Sequence, residues 1–597
     1  MTSVLCGFNQ VKVMSSLENI SEIKGFDSFI KIEPINKGWS EDKKYYIETR
    51  DNRRLLLRIA QISEYDRKKA EFEIMRQIFT LDIPMNEPLD FGLCNGGENA
   101  YSLFTWCDGE DAQSILPMLT ETEQYVLGLK AGELLRKIHS VSAPLSTENW
   151  SDYYNRKIDT RLEKFLACGI IFEGDNKLIE YVKSNRKLLD NRPQCLQHGD
   201  YHVGNMVITP AGELSIIDFN RVSYGDPWEE FNRIVWSADA SPYFATGMLN
   251  GYFKGRPGDE FFRLMAFYIG ANTIGSLPWA IPFGQAEIDT MLKQAADVLS
   301  WFDNMKNPVP TWYLEDFYIQ YINNIPYKLK SFFDFSFIEQ YGRVFKVFDD
   351  QDSGNVCFGV QNGDEKYFIK FAGAPTQRAV CPPEEAIQNL KAALPAYKYL
   401  AHENLIKLVR HEEVGGGYAA IFKWAEGECM GRMYPKSSAK FTAMPLEAKL
   451  AVFEDILLFH AHVHEKGYVA IDFYDGSVLY DIEKNKTKIC DIDFYSKKPY
   501  INRMGRLWGS AKYMAPEEFI LGAEIDEITN VYTMGALAFA LFAKYDRTQE
   551  MWPLSDTLYE IVKKATNDKR ELRQNSIEQL INQWRAGVLE MKKFHKN

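Results

Sequence analysis

The chain has 597 residues, of which 46% are hydrophobic and 25% are charged, and its formal net charge is −13. This composition is typical of a globular protein and excludes a disordered or collagen-like chain. A net negative charge is unlike the excess of basic residues that nucleic-acid-binding proteins carry, so we expect no nucleic-acid partner. The apolar runs are too short to cross a bilayer, so we expect no membrane partner. Nine scattered cysteines without a CxxC pair, and no secretory pattern in the first residues, indicate a cytoplasmic chain.

Four local patterns occur twice in the same order, which predicts two related units in tandem. They are a strand ending in a basic residue, an F-x-W-x-x-G-E stretch, an Asp followed five residues later by a small polar residue, and the tripeptide Ile-Asp-Phe. The first copy is longer in one place, because 94 residues separate Trp106 from Asp200 but only 48 separate Trp424 from Asp472.

Both copies open with β-like segments and continue with helical patterns, so the fold class should be α+β, with a small antiparallel β lobe and a larger helical lobe in each. We expect an N-terminal extension over residues 1–24, a first domain over 25–306 and a second over 336–597. Pro308 and Pro310 lie at the start of the intervening stretch. Residues 307–335 are aromatic-rich and periodic, which favours a linker or packed connecting helix.

The spacing of Asp200, Asn205 and Asp218 is the most specific signal in the first copy. Phosphoryl transfer needs a carboxylate that accepts the proton of an attacking hydroxyl. It also needs oxygen ligands that hold Mg²⁺ against the phosphates of ATP. An Asp, an Asn and a second Asp at these positions can supply all three groups.

The segment HGDYHVGNMVI, followed by LSIIDFNRVSYGDPWEEF, resembles the aminoglycoside phosphotransferase and choline-kinase-like family over about residues 25–305. The resemblance implies a protein-kinase-like fold, Asp200 as the catalytic base, and Asn205 and Asp218 as Mg²⁺ ligands. It also implies ATP as the phosphoryl donor and a small-molecule hydroxyl, aminoglycoside-like or on an amino alcohol, as the acceptor.

The amino-terminal part of this copy is expected to bind the nucleotide. Gly38 and Ser40 lie in a loop between two β-like segments, where backbone N–H groups can cover phosphates. Arg58 occupies the strand position of the phosphate-binding lysine of protein kinases, and Glu71 fits the helix glutamate that would pair with it. Trp106 lies in the stretch predicted to be the inter-lobe hinge beside adenine.

The second copy resembles eukaryotic-type serine/threonine protein kinases in HENLIKL (402–408), HEKGYVAID (464–472) and GSAKYMAPEEF (509–519). The resemblance implies Asp472 as the catalytic base, and Lys370 and Gly354 as nucleotide-binding residues. It implies Ser477 and Asp493 as metal ligands. It also pairs Glu517 with the late Arg573.

Several departures from that pattern leave the activity of the second copy open. Ala470 and Ile471 replace the usual His-Arg, Ser477 replaces the metal-binding Asn, and Ala393 falls where the helix glutamate is expected. One interpretation is slow or specialised phosphotransfer, with a protein as a candidate substrate. The other is a pseudokinase that regulates the first copy.

For the whole chain we therefore expect an ATP- and Mg²⁺-dependent phosphotransferase. Its first domain would act on a small molecule, and its second would have weak or regulatory activity. Two alternatives remain: a serine/threonine protein kinase acting through the second domain, or a non-catalytic nucleotide-binding scaffold.

Overall fold

The computed structural model describes residues 20–36, 42–315, 317–431 and 433–594. The chain divides into two compact units. Unit 1 comprises Met1–Pro117 and Glu123–Glu315, and unit 2 comprises Met118–Thr122 and Asp316–Asn597. Both units combine helices with small antiparallel sheets, so the α+β fold class is confirmed.

Unit 1 begins with a five-stranded antiparallel sheet of order β1-β2-β3-β5-β4. The strands of unit 1 are β1 (Phe29–Ile35), β2 (Lys43–Thr49), β3 (Arg54–Gln61), β4 (Pro88–Cys94), β5 (Asn99–Thr105), β6 (Glu110–Asp111), β7 (Cys195–Gln197), β8 (Met206–Ile208), β9 (Leu214–Ile216) and β10 (Ser223–Gly225). Along β3, Leu55, Leu57 and Ile59 are buried. Because successive side chains of a strand alternate, Arg58 is directed to the opposite face.

The remainder of unit 1 is mainly helical. Its helices are α1 (Tyr65–Phe79), α2 (Ala112–Ile115), α3 (Glu121–Ile138), α4 (Trp150–Cys168), α5 (Asp175–Ser184), α6 (Ile234–Ala240), α7 (Pro242–Phe253), α8 (Asp259–Ala280) and α9 (Gln285–Trp301). Among the described residues, the segment Asp259–Phe283 has the length and apolarity of a membrane span, and 67% of its most apolar window is buried in the protein. A core helix passes the same test, so this is weak evidence for a membrane.

Unit 2 has its own five-stranded antiparallel sheet, of order β13-β14-β15-β17-β16. Its strands are β11 (Tyr318–Ile322), β12 (Ile325–Leu329), β13 (Arg343–Phe348), β14 (Asn355–Asn362), β15 (Glu365–Ala372), β16 (Leu408–Val414), β17 (Gly417–Lys423), β18 (Glu428–Cys429), β19 (Tyr468–Val469), β20 (Val478–Asp481), β21 (Lys486–Ile489), β22 (Ser496–Lys497), β23 (Tyr500–Ile501) and β24 (Glu524–Ile525). Its helices are α10 (Pro383–Tyr399), α11 (Pro435–Thr442), α12 (Leu446–Glu465), α13 (Glu527–Ala543), α14 (Asp556–Ala565) and α15 (Ile577–Phe594). The β-like segments predicted at the start of both copies are confirmed.

The connecting helix predicted over residues 307–335 is wrong, because β11 and β12 form a β-hairpin there. Asn323 and Asn324 make the two-residue turn with φ of 48° and 68°, a conformation that asparagine tolerates and that suits a hairpin. Tyr327 and Leu329 of the second strand join the buried cluster of unit 2. Burial of apolar side chains in a hairpin therefore accounts for the apolar character that favoured a helix.

The ion pair predicted between Glu517 and Arg573 is confirmed. Arg573 donates from Nη1 to Oε1 of Glu517 at 2.7 Å and from Nη2 to Oε2 at 3.0 Å. The Arg573 side chain has no solvent exposure. Burial acts to raise the pKa of Glu517, but the hydrogen bonds from Arg573 outweigh it and hold that pKa below its usual value.

Replacing Arg573 is expected to destabilise unit 2 far more than replacing its neighbour Arg570. Arg573→Met leaves the Glu517 carboxylate buried without its bidentate partner, a loss of about 3–5 kcal/mol. Arg570 is 32% exposed, its Nη1 lies 3.4 Å from the same carboxylate, and its Nη2 pairs with the partly exposed Asp526, so Arg570→Met removes solvent-screened pairs and should cost about 1 kcal/mol or less. Urea unfolding of both full-length variants measures the difference, and equal losses would contradict the assignment.

Candidate functional site

The loop between β7 and β8 holds the first predicted catalytic residues of unit 1. Asn205 Nδ2 donates to the backbone carbonyl of Asp200 at 2.9 Å, which ties the two ends of the loop together. The Ile217 amide donates to the carbonyl of Asn205 at 3.0 Å, and Asp218 follows with φ of 65°. The structure therefore brings Asp200, Asn205 and Asp218 together at one site.

Cations surround the Asp200 carboxylate. Arg233 Nε lies 3.2 Å from Oδ1, and Arg221 Nη1 lies 3.7 Å from Oδ2. His202 Nε2 is 3.7 Å from Oδ1, but burial lowers the pKa of His202 to about 4, so this ring is neutral at pH 7. Two guanidinium groups therefore lie beside the carboxylate that is predicted to accept the proton.

Buried groups fix the backbone of the same loop. Glu230 accepts from the amides of Gly199 at 2.9 Å and Tyr201 at 3.3 Å. Burial acts to raise the pKa of Glu230, but the nearby His139 and His198 and the hydrogen bond from the Gly199 amide outweigh it and hold that pKa below its usual value. His198 is fully buried, with Nε2 3.0 Å from the carbonyl of Ile217. This contact suits the structural role that its sequence position predicts.

The nucleotide side of the site is a chain of alternating charges. Arg58 Nη2 donates to Asp42 Oδ2 at 2.7 Å, and Lys68 Nζ donates to the same oxygen at 2.8 Å. Burial acts to raise the pKa of Asp42, but Arg58 and Lys68 outweigh it and hold that pKa below its usual value. Arg58 also donates to Asn220, and its Nη1 lies 3.6 Å from Asp218 Oδ1. Arg58 is therefore directed at the same place as the predicted metal ligands.

The predicted pairing of Arg58 with Glu71 is wrong. Glu71 instead contacts Arg67 at 2.6 Å and Lys68 at 3.1 Å, one turn earlier on the same helix. The physical reason is that Lys68 and Asp42 lie between the two groups. Lys68 could have been found from sequence, because it precedes Glu71 by three residues in KKAEFE. Asp42, the partner of both Arg58 and Lys68, is distant in sequence, and no sequence pattern predicts these pairs.

Lys44 is a further cation that the sequence patterns did not reveal. It lies on β2 opposite Arg58 in the strand register. Burial lowers the pKa of Lys44, although the nearby Asp218 acts to raise it. A second cation beside Arg58 can neutralise phosphate charge.

The contacts of the described residues give little information on the other three residues of unit 1 that are predicted to bind nucleotide. Trp106 follows β5, its amide donates to the Arg54 carbonyl at 2.9 Å, and its ring packs edge-on against Tyr46 with centroids 5.0 Å apart. Gly38 and Ser40 lie outside the described residues. The roles of these three residues stay predictions.

The groups in unit 1 fit a Mg²⁺ ion bound with nucleotide phosphates. The Asn205 amide nitrogen is used inside the loop, which leaves its oxygen as the ligand atom. The Asp218 side chain is 37% exposed. No group of three or more His, Cys, Asp or Glu side chains suited to a metal is found among the described residues. Two protein oxygens plus phosphates match the preference of Mg²⁺.

In unit 2 the backbone corrects the predicted position of the metal-binding aspartate. The Cys490 amide donates to the Ser477 carbonyl at 2.9 Å, as Ile217 does to Asn205 in unit 1. Asp491 follows with φ of 63°, close to the 65° of Asp218. Asp491, and not Asp493, thus holds the position of Asp218. Matching the repeated tripeptide Ile-Asp-Phe aligned Asp218 with Asp493, which is two residues after the position that the hydrogen bonds indicate.

Both aspartates contact the predicted lysine. Lys370 Nζ donates to Asp491 Oδ1 at 2.9 Å and to Asp493 Oδ2 at 2.6 Å. Tyr397 of α10 donates to Asp493 Oδ1 at 2.8 Å and accepts from the Ile492 amide at 3.1 Å. No sequence pattern indicated Tyr397, which lies one turn after Ala393, the position expected for the helix glutamate.

The Asp472 carboxyl lies in an environment opposite to that of Asp200. Burial, reinforced by Asp491 and other acidic neighbours, raises its pKa to about 8. A Cβ built on Gly509 would lie 3.4 Å from Asp472 Oδ1. The cavity that Asp472 shares with Gly509, Ser510 and Tyr513 measures about 10 Å³, roughly the space of one water molecule. This cavity is too small to hold an acceptor.

The other predicted residues of unit 2 lie within its packing. Ser477 is fully buried, and its hydroxyl has no hydrogen-bond partner among the described residues. Gly354 has φ of 78°, and a Cβ there would lie 3.0 Å from Ala386 of α10. The conformation and the close helix explain the glycine without a ligand. A nucleotide role for Gly354 and a metal role for Ser477 stay predictions.

Comparison with known proteins supports phosphotransfer. Residues 31–264 match the model of the phosphotransferase enzyme family, APH. This range includes Arg58, Asp200, Asn205 and Asp218. The match supports a phosphotransferase domain in unit 1, and it leaves the acceptor unresolved.

Three curated kinases are similar to parts of the chain. Serine/threonine-protein kinase ppk34 of Schizosaccharomyces pombe is 24% identical over 236 residues, which cover 37% of this chain and 60% of that protein. Maternal embryonic leucine zipper kinase of Xenopus tropicalis is 26% identical over 161 residues (27% and 24%). Serine/threonine-protein kinase 1 of African swine fever virus is 27% identical over 96 residues (16% and 32%). The chain thus covers less than two thirds of each relative.

Replacing Asp472 by its neutral isostere is expected to stabilise unit 2, and more so at higher pH. The pKa of Asp472 is about 8 in the folded protein and about 3.9 in an unfolded chain. Between about pH 4 and pH 8 the folded protein therefore binds more protons at Asp472 than the unfolded chain does. Stability therefore falls as pH rises across this window. Asp472→Asn removes the titration, so its gain in Tm should grow from pH 5 to pH 8.

Thermal unfolding of the full chain at a series of pH values measures this gain. Asp364→Asn, in an exposed turn, is the matched control and should leave Tm unchanged throughout. A gain in Asp472→Asn that is the same at pH 5 and pH 8 would show that Asp472 is ionised in the folded protein.

Proposed function

We propose that unit 1 transfers the terminal phosphoryl group of ATP to a hydroxyl of a small molecule. The observation that carries the proposal is the Asp200 carboxylate, flanked by Arg233 and Arg221 and tied through Asn205 to the loop that also positions Asp218. The family match over residues 31–264 supports the same chemistry.

In the proposed reaction Asp200 accepts the proton of the acceptor hydroxyl as its oxygen forms a bond to the γ-phosphorus. The bond from that phosphorus to the β–γ bridging oxygen breaks, and ADP leaves with the electron pair. Arg58 and Lys44 bind phosphate oxygens and offset their charge. Asn205 and Asp218 would hold Mg²⁺, which when bound neutralises charge on the phosphates. Positioning and electrostatic stabilisation then supply most of the rate.

Unit 2 is proposed to have the same kinase-like fold with weak or regulatory activity. Its five-stranded sheet has the same strand order as that of unit 1, and its lysine and two aspartates meet as Arg58, Asp218 and Asn220 do. The raised pKa of Asp472 and the 10 Å³ cavity beside it disfavour a working base at pH 7. A protein kinase acting mainly through unit 2 is the weaker candidate for the same reason.

A cytoplasmic location remains part of the proposal. All eight cysteines among the described residues are free thiols, which suits a reducing compartment.

Removing the Asp200 carboxylate should reduce phosphotransfer strongly, whereas removing that of Asp472 should not. Loss of a general base typically lowers the rate by about 10²–10⁴-fold, so we expect a fall of that size in kcat/KM for Asp200→Ala. The measurement is ADP release with ATP, Mg²⁺ and a panel of hydroxyl acceptors. It uses the full-length wild type, Asp200→Ala and Asp472→Ala.

Asp259→Ala is the control, because this carboxyl is 76% exposed on α8, and its activity should equal that of the wild type. Turnover that survives Asp200→Ala but is lost in Asp472→Ala would assign the activity to unit 2 instead. Turnover that neither substitution changes would refute both assignments.

A further inference from the structure

A cavity of about 540 Å³ lies in unit 1 between α4 and α8. This volume is within the range of small-molecule sites. It is lined by cationic, aromatic and small side chains: Tyr153, Arg156, Lys157, Thr160, Arg161, Lys164, Gly275, Pro278 and Trp279. No acidic residue is among them.

Two of the four cations in the cavity have no carboxylate partner in the described part of the chain. Arg161 contacts neutral groups, the Tyr154 hydroxyl and Asn272 Oδ1, each at 3.4 Å. Lys164 is exposed and has no carboxylate within 4.0 Å among the described residues. Arg156 and Lys157, in contrast, have the carboxylates of Glu148 and Glu229 at 2.5 and 3.4 Å. The cavity therefore carries an excess of positive charge.

Gly275 of α8 leaves room for the Arg161 side chain. A Cβ there would lie 2.8 Å from Arg161 Nε and 2.9 Å from its Cδ, so a larger residue would require this flexible side chain to move. Tyr153 and Trp279 are 42% and 43% exposed. A guanidinium and aromatic faces form a site for a planar oxyanion or a polar ring.

The cavity is connected to the proposed catalytic loop. Lys157 contacts Glu229 at 3.4 Å. Glu229 begins the short helical segment Glu229–Arg233, and Arg233 at its end contacts Asp200 at 3.2 Å. Four residues of such a helix span about 8 Å. Glu229 and this segment thus lie between the cavity and the Asp200 loop.

We infer that this cavity binds an oxyanion of the acceptor, a carboxylate or a phosphate, while a hydroxyl of the same molecule reaches Asp200. The inference rests on the proposed function and specifies its substrate class. The unneutralised Arg161 and Lys164 attract an anion and repel the cationic aminoglycoside-like or amino-alcohol acceptor that the sequence predicts. Charge would discriminate between substrates here, because Arg161 can donate N–H hydrogen bonds to an oxyanion but not to an ammonium group, which has no acceptor.

The test compares four compounds built on one hexose frame: glucose 6-phosphate, glucuronate, glucose and glucosamine. The first two carry a phosphate and a carboxylate, the third is neutral, and the fourth is a cation. Calorimetric titration of the full chain without ATP measures their binding. We expect at least one of the two anions to bind about tenfold or more tightly than glucose and glucosamine, as one or two charge-assisted hydrogen bonds allow.

The double variant Arg161→Gln with Lys164→Gln should lose that preference, and the amide introduced by Arg161→Gln retains a polar group near Tyr154 and Asn272. Lys183→Gln, which removes one exposed cation of α5 outside the cavity, should keep it. Equal or undetectable binding of all four compounds, or a preference that survives the double variant, would overturn the inference.

Turnover separates this inference from the proposed function. If ATP turnover is absent while the anion preference depends on Arg161 and Lys164, the proposed function fails and the anion site stands. If Asp200-dependent turnover with glucosamine exceeds that with glucose 6-phosphate, the proposed function stands and the anionic substrate class fails.

Discussion

The contact between Asp200 and Arg233 is the constraint on which the proposed chemistry depends. Arg233 Nε lies 3.2 Å from one oxygen of this carboxylate, and Arg221 Nη1 lies 3.7 Å from the other. In unit 2 the corresponding carboxyl, Asp472, has acidic neighbours instead, and its pKa rises to about 8. The two loops also differ in backbone here, because Asp472 itself has φ of 59°, whereas in unit 1 the positive φ of 82° belongs to Gly199, the residue before Asp200.

The backbone of these loops also shows which aspartates correspond between the two units. The residue that follows the loop-closing hydrogen bond is Asp218 in unit 1 and Asp491 in unit 2. The next polar residue, Asn220 or Asp493, contacts the strand cation Arg58 or Lys370. Each strand cation thus contacts two groups of one loop, and this links the β lobe to the loop within each unit.

Local sequence patterns predicted the parts of this site that depend on short-range spacing. The positions of Asp200, Asn205 and Asp218, and the β-strand that carries Arg58, all follow from motifs within one copy. Long-range pairing could not be predicted, because no pattern relates Asp42 to Lys68 or α4 to α8. The repeated tripeptide Ile-Asp-Phe also led to a wrong alignment, because it pairs Asp218 with Asp493, whereas the hydrogen bonds pair Asp218 with Asp491. The hairpin at 318–329 was missed because its apolar periodicity resembled that of a helix.

The cations of unit 1 are placed where the acceptor and the nucleotide of the proposed reaction would each carry negative charge. An anionic acceptor approaching ATP would be repelled by the phosphates and by Asp200, so its charge must be neutralised at a distance from the reacting hydroxyl. Arg161 and Lys164 provide cations without carboxylate partners in the described part of the chain, whereas Arg58 is neutralised in part by Asp42 within the protein. Lys157 pairs with Glu229, whereas Arg233 pairs with Asp200, so the cavity cations and the Asp200 cations are two distinct groups. An acceptor of this kind would therefore bind through one end and react at the other.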